Sequence, residues 1–115
     1  MQLQSLVFPV TDLGRAVDFF QGLEFKLIGR FDEDGVAFIG VGGAQLWLVV
    51  TEETPPTYPV CIFKVDDVEE TRQRVVKLGG KIVSELQEDG MGSYYIFADP
   101  DGNQAEIRQP PARKS

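Results

Sequence analysis

Val10-Thr-Asp-Leu13 returns 55 residues later as Val65-Asp-Asp-Val68, and Glu33-Asp-Gly35 returns as Glu88-Asp-Gly90. At the same interval Leu23 maps to Leu78 and Leu27 to Ile82. Self-similarity at a fixed period marks a chain assembled from like structural units. Between the copies runs Thr51-Glu-Glu-Thr-Pro-Pro-Thr-Tyr58, whose prolines and polar residues suit a linker. The expected organisation is one domain over residues 1–110, made of two modules at about 1–52 and 58–110, with a flexible tail at 111–115. A length of 115 residues leaves no room for a second independent domain.

Each copy reads as strand, helix, then three strands. In the first, residues 2–10 carry a strand-type mix, and Thr11 or Asp12 is placed to cap a helix with Leu13, Ala16, Val17 and Phe20 on its inner stripe. Gly22 is expected to end that helix. Strands follow near 24–31, 36–41 and 44–50. In the second copy, 59–65 is a strand, and Asp66 and Asp67 ahead of Glu69 and Glu70 give overlapping capping signals. The second helix places Val68, Thr71, Val75 and Leu78 on one face and stops at Gly79-Gly80. Strands follow near 81–87, 93–98 and 104–109, the last pair joined by the Asp99-Pro-Asp-Gly-Asn103 turn.

Alternation along the strands separates two faces. Leu46, Leu48 and Val50 oppose Gln45, Trp47 and Val49. Cys61, Phe63 and Val65 oppose Val60, Ile62 and Lys64. Ala105 and Ile107 oppose Gln104, Glu106 and Arg108. The apolar set belongs under a helix; the mixed set makes a second face suited to a cleft. Tyr94 and Tyr95 are neighbours in a strand, so one points each way, and sequence leaves open which of them faces the cleft.

Composition removes several chemistries. With no histidine, Ser-His-Asp and Cys-His nucleophilic systems and imidazole zinc sites are absent. A net charge of −7 opposes binding to nucleic acid, whose phosphates need a basic patch. No apolar run approaches the roughly 20 residues that span a bilayer, so no membrane partner is expected. The single cysteine, Cys61, excludes an internal disulfide and suits a reducing cytoplasm.

The βαβββ repeat, the opening Phe8-Pro-Val-Thr-Asp-Leu13 with Phe19-Phe20, the strand end Phe63-Lys-Val-Asp-Asp67 and the run Asp99-Pro-Asp-Gly-Asn-Gln-Ala-Glu-Ile107 resemble the glyoxalase/bleomycin resistance/extradiol dioxygenase group, the vicinal oxygen chelate superfamily. The resemblance covers about residues 3–109. It implies an α+β fold of two tandem βαβββ modules whose curled mixed sheets form a cleft. In metal-dependent members four strand residues, usually His, Gln or Glu, hold a divalent ion. The matching positions here are Ser5 and Val60 in the first strands and Trp47 and Glu106 in the last. Indole and isopropyl groups cannot coordinate, and Ser5 is a weak donor, so the expectation is no metal and no cofactor. The sequence also departs from the pattern at the exit of the first helix, where Glu24 stands in place of the usual glycine.

The expected ligand-binding residues are Ser5, Trp47, Val60, Ile62, Tyr94, Glu106 and Arg108. Trp47 is either sheet filler or a stacking platform. Glu106 is a polar anchor, or, in an apolar cleft, a proton acceptor and the sole catalytic candidate. The leading expectation is a metal-independent, small-molecule-binding homodimer that sequesters an aromatic or cationic antibiotic-like compound, as members of the bleomycin-resistance branch do. The alternatives are a lyase, isomerase or dioxygenase-like enzyme working through Glu106, and a non-catalytic interaction subunit. Cys61, on the helix side, reads as a small buried hydrophobe.

Overall fold

The structure is a computed structural model, and residues 1–111 are described. The tail expected at 111–115 lies almost wholly outside that range; Pro111, within it, is exposed and outside regular structure. Contacts divide the chain into two compact units, Met1–Pro55 and one beginning at Pro56.

In the first unit β1 (Ser5–Val10), α1 (Leu13–Gly22), β2 (Lys26–Phe31), a single 3-10 turn, β3 (Val36–Val41) and β4 (Ala44–Val50) build a sheet of order β1-β4-β3-β2. β1 runs parallel to β4, and the remaining neighbours are antiparallel. The second unit repeats this with β5 (Ile62–Lys64), α2 (Val68–Lys77), β6 (Lys81–Asp89), β7 (Gly92–Ala98) and β8 (Gln104–Gln109), in order β5-β8-β7-β6. β5 is parallel to β8. The two βαβββ modules expected from the repeat are therefore present, each an α+β unit with a mixed sheet.

Asp12 caps α1 by accepting the Arg15 N–H at 3.0 Å, and Asp67 caps α2 by accepting those of Glu69 and Glu70. α1 buries Leu13, Ala16, Val17, Phe19 and Phe20 against Phe8, Val10, Ala37, Ile39, Leu46 and Leu48. In α2 only Val68 and Val75 are buried; Thr71 and Leu78, expected on the inner face, are half-buried. The core beneath α2 is completed by Phe63, Tyr95, Phe97, Ala105 and Ile107. The Tyr95 hydroxyl is buried there without a hydrogen-bond partner among the described residues, and burial pushes its pKa well up.

Four strand boundaries differ from the sequence reading, the first being β1, which begins at Ser5 rather than at residue 2. Regular pairing of β5 is confined to Ile62–Lys64: just before it the Val60 N–H and the Cys61 carbonyl, on adjacent residues, take the bonds to β8, so the ladder is out of register there. The Val60 and Val65 N–H groups still reach the Gln104 and Arg108 carbonyls beyond its ends. β6 runs on to Asp89 through two register shifts, which bend it. β2 begins at Lys26 because residues 24 and 25 close the helix.

That closure also corrects the expected role of Gly22, which is the last helical residue rather than the stop. Glu24 N–H donates to the Gln21 carbonyl and Phe25 N–H to that of Phe20, with the Phe20 and Phe25 rings 6.2 Å apart. This is the Schellman closure, which demands a left-handed residue after the cap. Glu24 supplies it at φ 72°, the one non-glycine residue with positive φ among those described. In the second unit the same bonds form at Gly79, φ 93°, where the residue type suits the backbone. Replacing Glu24 by glycine is therefore expected to raise the free energy of unfolding by up to about 1 kcal/mol, measured by urea denaturation. A loss of stability would show that the Glu24 side chain outweighs the backbone cost.

Candidate functional site

Each helix covers one face of its sheet, and the alternate strand positions face away from it. Of the sequence-predicted residues, Ser5, Trp47, Ile62, Tyr94, Glu106 and Arg108 lie on these open faces, whereas Val60 precedes β5. In the first unit Trp47 on β4 is paired in register with Val7 on β1 and Phe38 on β3. The Phe38 and Trp47 rings lie 4.9 Å apart, and Phe31 continues the row at 5.7 Å from Phe38. Gly29, opposite Phe38, makes this possible: a Cβ there would stand 3.3 Å from the Phe38 ring. The indole orientation is fixed by Trp47 Nε1 donating to Gln45 Oε1 at 2.8 Å. Ser5 pairs with Gln45, one step along the strand from Trp47.

The open face of the second unit is built differently. Glu106 lies between Ile62 on β5 and Ile96 on β7, and Arg108 lies between Lys64 and Tyr94. Arg108 Nε donates to Glu106 Oε2 at 2.9 Å, while Nη1 and Nη2 donate to the two oxygens of Asp89 at 2.8 and 3.2 Å. The guanidinium carbon sits 4.4 Å from the Tyr94 ring centroid, and Tyr94 Oη donates to Gln87 Oε1. These hydrogen bonds push the Arg108 pKa further up, and Arg108 holds Asp89 below the usual carboxylate range. The Glu106 and Arg108 side chains are only 14% and 16% exposed, unlike the surface pair Arg72–Glu85.

The pairing answers one question that sequence left open: Tyr94 occupies the open face and Tyr95 the buried one. It also separates the predicted residues. Trp47 joins Val7 and Phe38 rather than Ser5. Glu106 joins Arg108, Tyr94 and Ile62, whereas Val60 is bonded through its backbone to Gln104. Sequence reasoning missed Phe31, Phe38, Gln45 and Asp89. Phe38 was within reach: Gly42-Gly43 is a two-residue turn, and counting back from Val41 opposite Ala44 sets Phe38 against Trp47.

The four positions implied by the family resemblance carry few donor atoms. Trp47 and Val60 offer no donor, and one oxygen of Glu106 is committed to Arg108. Among the described residues no group of three or more His, Cys, Asp or Glu side chains is placed to hold an ion. Asp99 is buried, but it organises its turn: it accepts from the Asp101 and Asn103 N–H groups and from Asn103 Nδ2. Burial pushes its pKa up to about 6 against these donors.

A family model described as the Glyoxalase/Bleomycin resistance protein/Dioxygenase superfamily matches residues 2–107. The chain belongs to that superfamily. No curated protein matches its sequence. Among solved structures it is similar to TnmS3, an antibiotic binding protein from a Streptomyces species, at 25% identity and a TM-score of 0.77, over 96% of this chain and 97% of that one. TioX from a Micromonospora species is similar at 24% identity and a TM-score of 0.74, over 96% and 100% of the two chains. FosX, a genomically encoded fosfomycin resistance protein from Listeria monocytogenes, gives 20% identity and a TM-score of 0.81, over 96% and 94%. The last two likenesses carry the fold. Among the described residues no helix is long and apolar enough to cross a membrane.

Cys61 is half-buried immediately before β5, and burial pushes its thiol pKa up to about 11. A thiol reacts as its thiolate. At pH 8 Cys61 is expected to react with a disulfide reagent on the order of a hundredfold more slowly than a free thiol of ordinary pKa. Reaction at the free-thiol rate would contradict its placement.

Proposed function

We propose that this chain is a metal-independent binding protein that sequesters a small aromatic or cationic compound of antibiotic-like type. The observation that carries the reading is the aromatic row on the open face of the first sheet. Trp47, Phe38 and Phe31 expose ring surface, and the Gln45 bond uses the indole donor and holds the ring still. Neighbouring rings in the row are tilted by 60° and 58°, so it offers a preformed aromatic surface of faces and edges against which a ring packs with little conformational freedom lost. The net charge of −7 draws cations over long range. The similarity to an antibiotic binding protein at 25% identity supports the same reading. The side chains at the superfamily's ligand positions favour binding of an organic compound over that of a metal. Glu106 is tied to Arg108, which speaks against its use as a lone proton shuttle in lyase or isomerase chemistry. The reading carries with it a cytoplasmic homodimer, in keeping with the single cysteine and with the open edge strands β1, β2, β5 and β6.

Trp47 is the only tryptophan, so its emission reports on the first open face. Titration with bleomycin-like and planar cationic compounds is expected to release heat and change that emission. Trp47→Ala is expected to weaken the best binder by about tenfold, the loss of one aromatic contact. No heat and no emission change across the panel would overturn sequestration.

A further inference from the structure

The two helices are capped alike but anchored unlike. Along the 55-residue interval Val17 corresponds to Arg72, Phe19 to Arg74 and Phe20 to Val75. α1 buries five side chains, with the Phe20 ring 6.0 Å from that of Phe8 and 5.1 Å from that of Phe19. α2 buries only Val68 and Val75. Its arginines form surface ion pairs instead, Arg72 with Glu85 and Arg74 with Glu70, and such pairs contribute little. One more fastener comes from the end of β8, where Gln109 Oε1 accepts the Val68 N–H at 3.0 Å.

The side chain that fills the space beneath α2 comes from the sheet. Ala37 faces Leu48 in the first ladder, and Tyr95 faces Ile107 at the matching place in the second. A phenol in place of a methyl group makes up for the small inner side chains of α2, as close packing requires. It also buries a hydroxyl. Tyr95 is 0% exposed, and its Oη has no hydrogen-bond partner among the described residues. The charges of Arg72 and Glu69 act on that group, so it lies beneath the first turns of α2. An unpaired buried hydroxyl penalises the closed arrangement, and water satisfies it once the helix lifts.

We infer that α2 is a movable cover: it opens as a unit while β7 and β8 stay paired, and Tyr95 is the residue that biases it to open. Lifting α2 bares the apolar floor of Phe63, Phe97 and Ile107. α1, on the same frame, stays closed.

Residue-resolved amide hydrogen exchange of the full chain at pH 7 tests this. The amides of α2 are expected to be protected at least about tenfold less than those of α1, β7 and β8. Tyr95→Phe removes only the oxygen, and is expected to raise α2 protection by about tenfold while leaving α1 within about twofold. Gln109→Ala frees the Val68 N–H and is expected to lower α2 protection by about fivefold, again with α1 unchanged. Equal protection of the two helices, or β7 and β8 exchanging together with α2, would show that no separate cover exists. Protection lost in Tyr95→Phe would mean that the hydroxyl holds the helix down, and overturns the assignment. A gain in Tyr95→Phe shared equally by every element would be a change of global stability, and overturns it as well.

Discussion

Each module places one helix on a four-stranded sheet, and one helix covers one face only. Everything else in the structure depends on that shortage of cover. The strands must alternate so that Phe8, Leu46, Leu48, Tyr95, Phe97 and Ile107 go under the helix. The intervening positions are left to face outward, in numbers too large and too apolar to be read as ordinary surface. Val7, Phe31 and Ile62 are each more than half exposed although they lie in strands of well-packed sheets. On the proposed reading these positions belong to the binding surface.

From one scaffold the two modules have drawn different chemistry. Trp47 and Glu106 are equivalent positions, each in the last strand and each beside the first strand at Val7 or Ile62. At the first, a ring packs tilted against Phe38 and is braced by Gln45. At the second, a carboxylate is braced by Arg108, Asp89 and Tyr94. The same divergence appears at the helix ends, where the shared closure falls on glycine in one copy and on glutamate in the other. The open faces of the two modules differ, while the helix-facing residues of both are apolar.

The alternation made both faces legible before any coordinates were known, because a period of two needs no knowledge of partners. Trp47, Glu106, Arg108 and Ile62 were assigned correctly to the open side in this way. What alternation does not convey is which strand lies beside which residue. Phe38 reaches Trp47 through register, and register follows from turn length. Asp89 reaches Arg108 across 19 residues of chain, past an intervening strand and a β6 that shifts register twice. No local pattern announces that contact; Glu88-Asp-Gly90 reads as a turn and nothing more. The irregular pairing at Val60 and Cys61 shortened β5, and the Schellman closure delayed β2; strand periodicity shows neither.

The account stands on the idea that this member of the superfamily has exchanged a metal quartet for an organic binding surface. Isothermal titration of the metal-stripped protein with Mn²⁺, Fe²⁺ and Zn²⁺, run beside Glu106→Ala, addresses that directly. The account predicts no stoichiometric site and no difference between the two proteins. One tight equivalent of metal that disappears in Glu106→Ala would contradict it.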